Sequence, residues 1–167
     1  IGLMGHAMEH MFDMQADPTT VAAAFGVHVA MCEPHEILRE LPAVTEEQIV
    51  EREKLILESF DAPDPGVDTI AEKLRADDLR ASARASLALE RFINARALDG
   101  LAYYFEGAEG SAERDLPGQM IVGNSLLIGQ GFPMCGEFDI KTCLAMYIMD
   151  RIGAGGSFAE IHPIDFS

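Results

Sequence analysis

The stretch with the most chemical content is Gly129-Gln-Gly-Phe-Pro-Met-Cys-Gly-Glu-Phe-Asp-Ile-Lys-Thr142. A short strand there runs into a Gly-Glu-x-Asp turn that opens a helix. In open α/β sheets, ligands bind where strand carboxyl ends meet helix starts. Glu137 stands at that junction, and Asp139 is placed to cap the helix with its carboxylate. A second acid, Glu160, lies in Ser157-Phe-Ala-Glu-Ile161, at the end of a further extended segment. If both segments end at one sheet edge, Glu137 and Glu160 converge. Two converging carboxylates make a site for a hard cation such as Mg²⁺ or Mn²⁺. They could equally act as general acid and base. The plainer alternative is that Glu137 and Asp139 are only capping residues of the helix.

Other groups carry less. His6 and His10 are four apart, with Glu9 and Asp13 nearby, but they follow a strand end directly and read as a loop, not as a metal-binding helix. That placement suits substrate lining, which singles out His6 and Met8. His28 reads as a structural histidine in a strand, and His35 and His162 have no evident partner. Glycine spacing gives no nucleotide fingerprint, and no serine elbow is present. Cys135 borders Glu137, whose charge disfavours a thiolate, so a nucleophilic cysteine is not expected.

The elements that must hold these residues follow from local signals. Ile1–Gly5 is a short apolar run of the buried-strand type. Asp17-Pro18 opens a helix that ends at Gly26. Val27–Met31 reads as the second strand. Thr45-Glu-Glu-Gln48 is a capping box before a helix, Ala62-Pro-Asp-Pro-Gly66 a break, and Thr69-Ile-Ala-Glu72 a second capping box. A long helix, or a pair of helices, then reaches about Leu98, followed by a strand over Leu101–Phe105. The reading continues with a polar loop from Gly107 to Gly118, a helix over Gln119–Ile128, a short strand over Phe132–Cys135, a helix over Asp139–Ile152 and an extended segment over Ser157–Phe166. Strands alternating with helices predict an α/β fold: a doubly wound, mostly parallel sheet with helices on both faces, a three-layer sandwich.

Composition limits the function classes. The chain has 167 residues, enough for one domain with a real core, and 49% of them are hydrophobic. With 12 Lys plus Arg against 28 Asp plus Glu, the net charge is −16, which repels phosphate backbones and argues against nucleic acid. No apolar run approaches the roughly 20 residues of a membrane helix. The three cysteines include no C-x-x-C pair, as expected of a reducing, cytoplasmic protein rather than a disulfide or zinc scaffold.

Three blocks together resemble a known family. Leu116-Pro-Gly118, Gly136-Glu-Phe-Asp-Ile-Lys-Thr142 and Gly155-Gly-Ser-Phe-Ala-Glu160 are similar, in order and approximate spacing, to the Pro-Gly, Gly-Glu-Gly-Asp-x-Lys-Thr and Gly-x-Ser-Phe-x-Glu-Asp blocks of the L-arabinose isomerase family. The helix Ala83–Phe92 followed by Gly100-Leu-Ala-Tyr-Tyr-Phe-Glu106 is similar to the family's segment before its Thr-Phe-Glu strand. The resemblance holds from about Ala83 to Phe166 and is loose before that. It implies a part of a metal-dependent aldose–ketose isomerase. Glu137 and Glu160 would be both metal ligands and the groups that move the proton between C1 and C2, and Phe105 would line the sugar pocket. The cofactor implied is Mn²⁺ or another divalent cation, with two further histidine ligands outside this chain. The partner implied is a small-molecule sugar, and the family's intersubunit sites imply a homo-oligomer.

On this reading residues 1–167 form a single α/β domain, the middle part of a longer isomerase whose N-terminal and C-terminal domains are absent, and the piece alone is expected to be inactive. Phe138 stands where the family pattern has glycine, Ile161 where it has aspartate, and Asp165 is nearer than His162 to the family's histidine position. These departures suit a divergent member, within either the arabinose or the L-fucose isomerase-like branch. The competing reading is a non-catalytic α/β sugar-binding or regulatory domain that keeps the scaffold.

Overall fold

The computed structural model describes all residues except 63, 65, 68–72 and 160–167. The strands are β1 (Gly2–Gly5), β2 (Ala30–Cys32), β3 (Leu101–Tyr104) and β4 (Met134–Cys135). The helices are α1 (Pro18–Phe25), α2 (Pro34–Leu38), α3 (Glu46–Ser59), α4 (Ala76–Ala95), α5 (Ala112–Gly129) and α6 (Ile140–Arg151), with single 3-10 turns at Phe12–Met14 and Leu41–Ala43. The four strands are parallel in the order β2-β1-β3-β4. Gly2 pairs with Ala30 on one side and Leu101 on the other.

Alternation along the strands sends neighbouring residues to opposite faces. Met4, Leu101, Tyr103 and Met134 pack with Ile37 of α2, Ile49 and Ile56 of α3, Leu89 and Phe92 of α4, and Leu116 and Met120 of α5. Leu3, Ala102 and Cys135 pack with Val21 of α1 and with Ile140, Cys143 and Leu144 of α6. Two apolar layers flanking one parallel sheet make the expected doubly wound sandwich. Among the described residues no helix is long and apolar enough to cross a membrane.

Capping signals read from the sequence form as written. Asp17 accepts the Thr19 N–H at 2.9 Å, and Gly26 ends α1 at φ 67°. Thr45 and Gln48 cap α3 reciprocally, at 3.0 and 3.3 Å. The second capping box, Thr69–Glu72, lies outside the described residues; α4 starts at Ala76 in the described structure. Its C-terminal end comes at Ala95 rather than Leu98, with Ala97 at φ 48° and Leu98 N–H bonded to the Ile93 carbonyl at 3.0 Å.

Two other boundaries differ from expectation. The second strand is Ala30–Cys32, not Val27–Met31, because its ladder partner starts at Gly2 and the Ala30 N–H bonds the Ile1 carbonyl. His28 therefore precedes the strand and is exposed. The polar loop expected to reach Gly118 ends at Ser111, which caps α5 by accepting the Arg114 N–H at 3.3 Å. Pro117 lies inside α5 and forfeits one early bond. Leu116 and Met120, both fully buried, offset that loss. The segment after α6, expected to be extended, has no regular structure up to Ala159, and the rest lies outside the described residues.

The helical layer of the first cluster is tight. Arg52 of α3 holds Glu90 of α4 bidentately at 2.7 and 2.8 Å and donates to Ser86 Oγ at 2.5 Å. Gly123 of α5 lies against Ser86 so closely that a Cβ there would be 2.9 Å from its Cα.

Candidate functional site

A chain that runs β1 to β2 and then returns to the far side of β1 has its topological switch between β1 and β3. The crevice beyond the carboxyl ends of such strands is the usual ligand position. A groove of roughly 410 Å³ lies there, within the usual range of small-molecule sites. Gly5 ends β1 and His6 follows it, Glu33 and His35 follow β2, and Phe105 and Glu106 follow β3, with Ser111 and Glu113 at the start of α5. Another groove, of about 440 Å³, lies where Pro133 leads into β4, at the opposite edge of the sheet. Its lining has a single carboxylate, Asp150.

The β1–β3 edge is rigidly built. Gly5 has φ +86°, and a Cβ on it would be 2.0 Å from the Tyr104 carbonyl oxygen. Only glycine allows this approach. The same oxygen accepts the His6 N–H at 2.9 Å. The His6 ring meets the Tyr104 ring edge-on, with centroids 5.5 Å apart. The Tyr104 hydroxyl donates to Glu106 Oε1 at 2.5 Å, a charge-assisted bond of the short class. That bond, then burial, then the charges of Glu106 and Glu137, hold the phenol protonated above its ordinary range.

Glu137 occupies the turn after β4, next to this edge, and is half-buried. It and Phe138 both have positive φ, 56° and 62°, a conformation that costs most residues about 1–2 kcal/mol each. Two anchors hold the turn. Phe138 N–H donates to the Tyr103 carbonyl at 3.2 Å. Asp139, 7% exposed, accepts from the Lys141 and Thr142 N–H groups at 3.0 and 3.1 Å and from the Thr142 hydroxyl at 2.5 Å. Asp139 is thus the cap of α6. The side chain of Lys141 donates to the Asp13 carbonyl, tying the loop after β1 to the same helix.

Of the residues expected from sequence, His6 and Phe105 meet in the groove; Phe105 is buried and shares the first core cluster. Met8 is 38% exposed and does not line the groove. His10 is exposed at φ 74°, with Glu9 at 3.7 Å. Glu137 lies on the β4 side, outside the groove lining. Glu160 and His162 lie outside the described residues. Among the described residues, no group of three or more His, Cys, Asp and Glu is arranged to hold a metal ion. Cys135 is buried, and its thiol is pushed up first by its hydrogen bond with Cys143 and then by burial. The causes are thus Cys143 and burial, not the Glu137 charge invoked from the sequence.

Sequence reasoning missed Glu33, His35, Glu106 and Glu113. Their signal is positional: each directly follows a strand or sits in the first turn of the next helix.

A family model described as the L-arabinose isomerase central domain matches residues 2–155. No curated protein matches the chain.

Proposed function

Because the chain belongs to the L-arabinose isomerase family as its central domain, we propose that it is the middle part of an enzyme interconverting an aldose and a ketose. The family match over residues 2–155 carries this reading. The position of Glu137 supports it: a carboxylate at the open edge of the sheet, in a turn fixed to β3 at one end and to α6 at the other.

In the proposed reaction a carboxylate takes the proton from C2 of the open-chain aldose and returns it to C1. The hydroxyl proton of O2 passes to O1, so the sugar is neither oxidised nor reduced overall. Glu137 and Glu160 are the groups proposed to move the carbon-bound proton. The groove supplies a wall for the substrate, with the buried Phe105 ring on its floor.

Carboxylate oxygens also fit a hard divalent cation such as Mn²⁺. Glu137 would be one ligand and Glu160 another, completed by two histidines outside this chain. When bound, the ion would polarise the sugar's oxygens. The proposal extends to a homo-oligomer acting on a small-molecule sugar in the cytoplasm.

The test is ketose formation by the intact protein across pentoses and 6-deoxyhexoses, with Mn²⁺ and then with chelator, beside Glu137→Gln. Turnover that needs metal and falls by about 10²–10⁴-fold in the variant is expected. Folded, metal-loaded protein that turns over none of these aldoses would instead favour a sugar-binding domain on the same scaffold.

A further inference from the structure

We infer that Glu106, held in place by Tyr104, is the carboxylate with which this domain reads the hydroxyl groups of its sugar, making the pair a specificity determinant on the β1–β3 side of the site. This rests on the isomerase reading for the identity of the ligand class. The placement rests on geometry alone.

Glu106 lies in the groove at the topological switch, beside Phe105. A free surface glutamate loses rotamer freedom when a ligand fixes it. Here Oε1 is already fixed by the Tyr104 hydroxyl at 2.5 Å. Tyr104 is in turn held at two points by His6. Its ring lies against the His6 ring, and its carbonyl accepts the His6 N–H over a glycine with no room for a side chain. The ordering cost is therefore met before the sugar arrives.

The ligand chemistry follows from what this leaves over. An ionised carboxylate is an acceptor only, with about four lone-pair positions. The Tyr104 phenol uses one. Glu106 shares its groove with three other acceptor-bearing residues, Glu33, Glu113 and Ser111, beside His6 and His35. Such a lining repels anions and takes neutral ligands rich in O–H donors. Adjacent hydroxyls of a polyol, with an apolar C–H face against Phe105, match it. Glu106 is set to grip the hydroxyls, while Glu137 lies across at the β4 turn. This predicts that Glu106 governs which sugar binds and Glu137 whether it reacts. Tyr104 is a positioning residue acting through Glu106.

Steady-state kinetics on the intact protein, over a panel of pentoses and 6-deoxyhexoses, test this with Glu106→Gln, Glu106→Asp and Tyr104→Phe. Glu106→Gln keeps the shape but loses the charge. It should raise KM by about 10–100-fold, as for a lost hydrogen bond to a charged group, with kcat within about threefold and the ranking of sugars changed. Tyr104→Phe should raise KM less, and the double variant should be no worse than Glu106→Gln alone. Unchanged KM and ranking in a folded Glu106→Gln protein would overturn the inference. So would a Tyr104→Phe loss confined to kcat. Calorimetric titration with unreactive pentitols, arabinitol and ribitol, separates this inference from the isomerase reading. If no aldose is turned over yet Glu106→Gln weakens pentitol binding, the pair stands and the isomerase reading fails. If turnover is intact and pentitol binding ignores the substitution, the pair fails and the isomerase reading stands.

Discussion

The backbone N–H of Phe138 donates to the carbonyl of Tyr103 at 3.2 Å. β4 is only two residues long, so the ladder alone would hold its carboxyl end weakly. This bond extends the attachment past the strand and fixes the turn that carries Glu137 beside β3. The candidate proton-transfer residue is thus positioned by main chain on one side and by the Asp139 cap on the other.

The cap can be tested directly. Asp139→Ala removes the acceptor for two N–H groups and leaves the Thr142 hydroxyl without its partner. A loss of about 1–2 kcal/mol in unfolding free energy is expected, the usual cost of losing a cap. Asp139→Asn keeps an acceptor and should lose under about 1 kcal/mol. Urea titrations of the two variants check this; equal losses would show that the cap is not what holds the turn.

Phe138 offers a different comparison. Its backbone is in the left-handed region at φ 62°, and its ring packs against the second core cluster. Phe138→Ala keeps about 1–2 kcal/mol of backbone strain while losing the ring. Phe138→Gly loses the ring too but relieves the strain. The glycine variant should therefore be the more stable by about 1 kcal/mol, even though glycine ordinarily costs 0.5–1 kcal/mol relative to alanine elsewhere. Thermal melts of both variants give the order, and a more stable alanine variant would contradict the backbone assignment.

Gly123 marks a tight contact between α4 and α5. A methyl group there would lie 2.9 Å from both Ser86 Cα and Cβ, and neither atom can swing away. Gly123→Ala gains about 1 kcal/mol in helix propensity, yet the clash costs about 1–3 kcal/mol. A net loss of stability is expected in chemical denaturation. Because Ser86 also accepts the Arg52 hydrogen bond, Ser86→Ala in the same background should not restore it.

Alkaline pH should destabilise the protein. Burial pushes the Cys32 thiol above its ordinary 9.0 and the Tyr103 phenol above 10.0. The bond to Glu106 raises Tyr104, and the bond with Cys143 raises Cys135. All four hold their protons longer in the folded state. The folded chain then binds more protons than the unfolded one, so stability falls with pH. This contribution is complete below about pH 9 and is lost as pH rises through the folded-state values. Melting temperatures taken from about pH 8 to about pH 11 should decline, with phenolate absorbance appearing at the transition; a flat profile would show that these groups are not shielded.

Local signals were legible in the sequence. Asp17-Pro18, Gly26, Thr45–Gln48 and Asp139 each act within a turn of helix, so residue type is enough to place them. β2 was misplaced because its bounds depend on where β1 begins to pair, which no nearby residue encodes. The start of α5 was missed because Pro117-Gly118 resembles a breaker; only the burial of Leu116 and Met120 in the assembled core shows why the helix persists. At the groove, His6 and Phe105 are expected from sequence to line a site, while Glu106 and His35 join them there only through the crossing of the chain at β1.

That crossing also constrains how the protein folds. Gly2 pairs with Leu101, so the central strand pair closes a loop of about 100 residues, an entropically costly step of the kind that slows folding. Contacts among α3, α4 and α5 are nearer along the chain and can form sooner. The half of the site contributed by Gly5 and Tyr104 therefore belongs to the late part of the folding reaction. In pulse-labelling hydrogen exchange, amides of α4 should gain protection before those of β3, and substitutions at Gly5 should slow recovery of the groove while leaving the early helical protection unchanged.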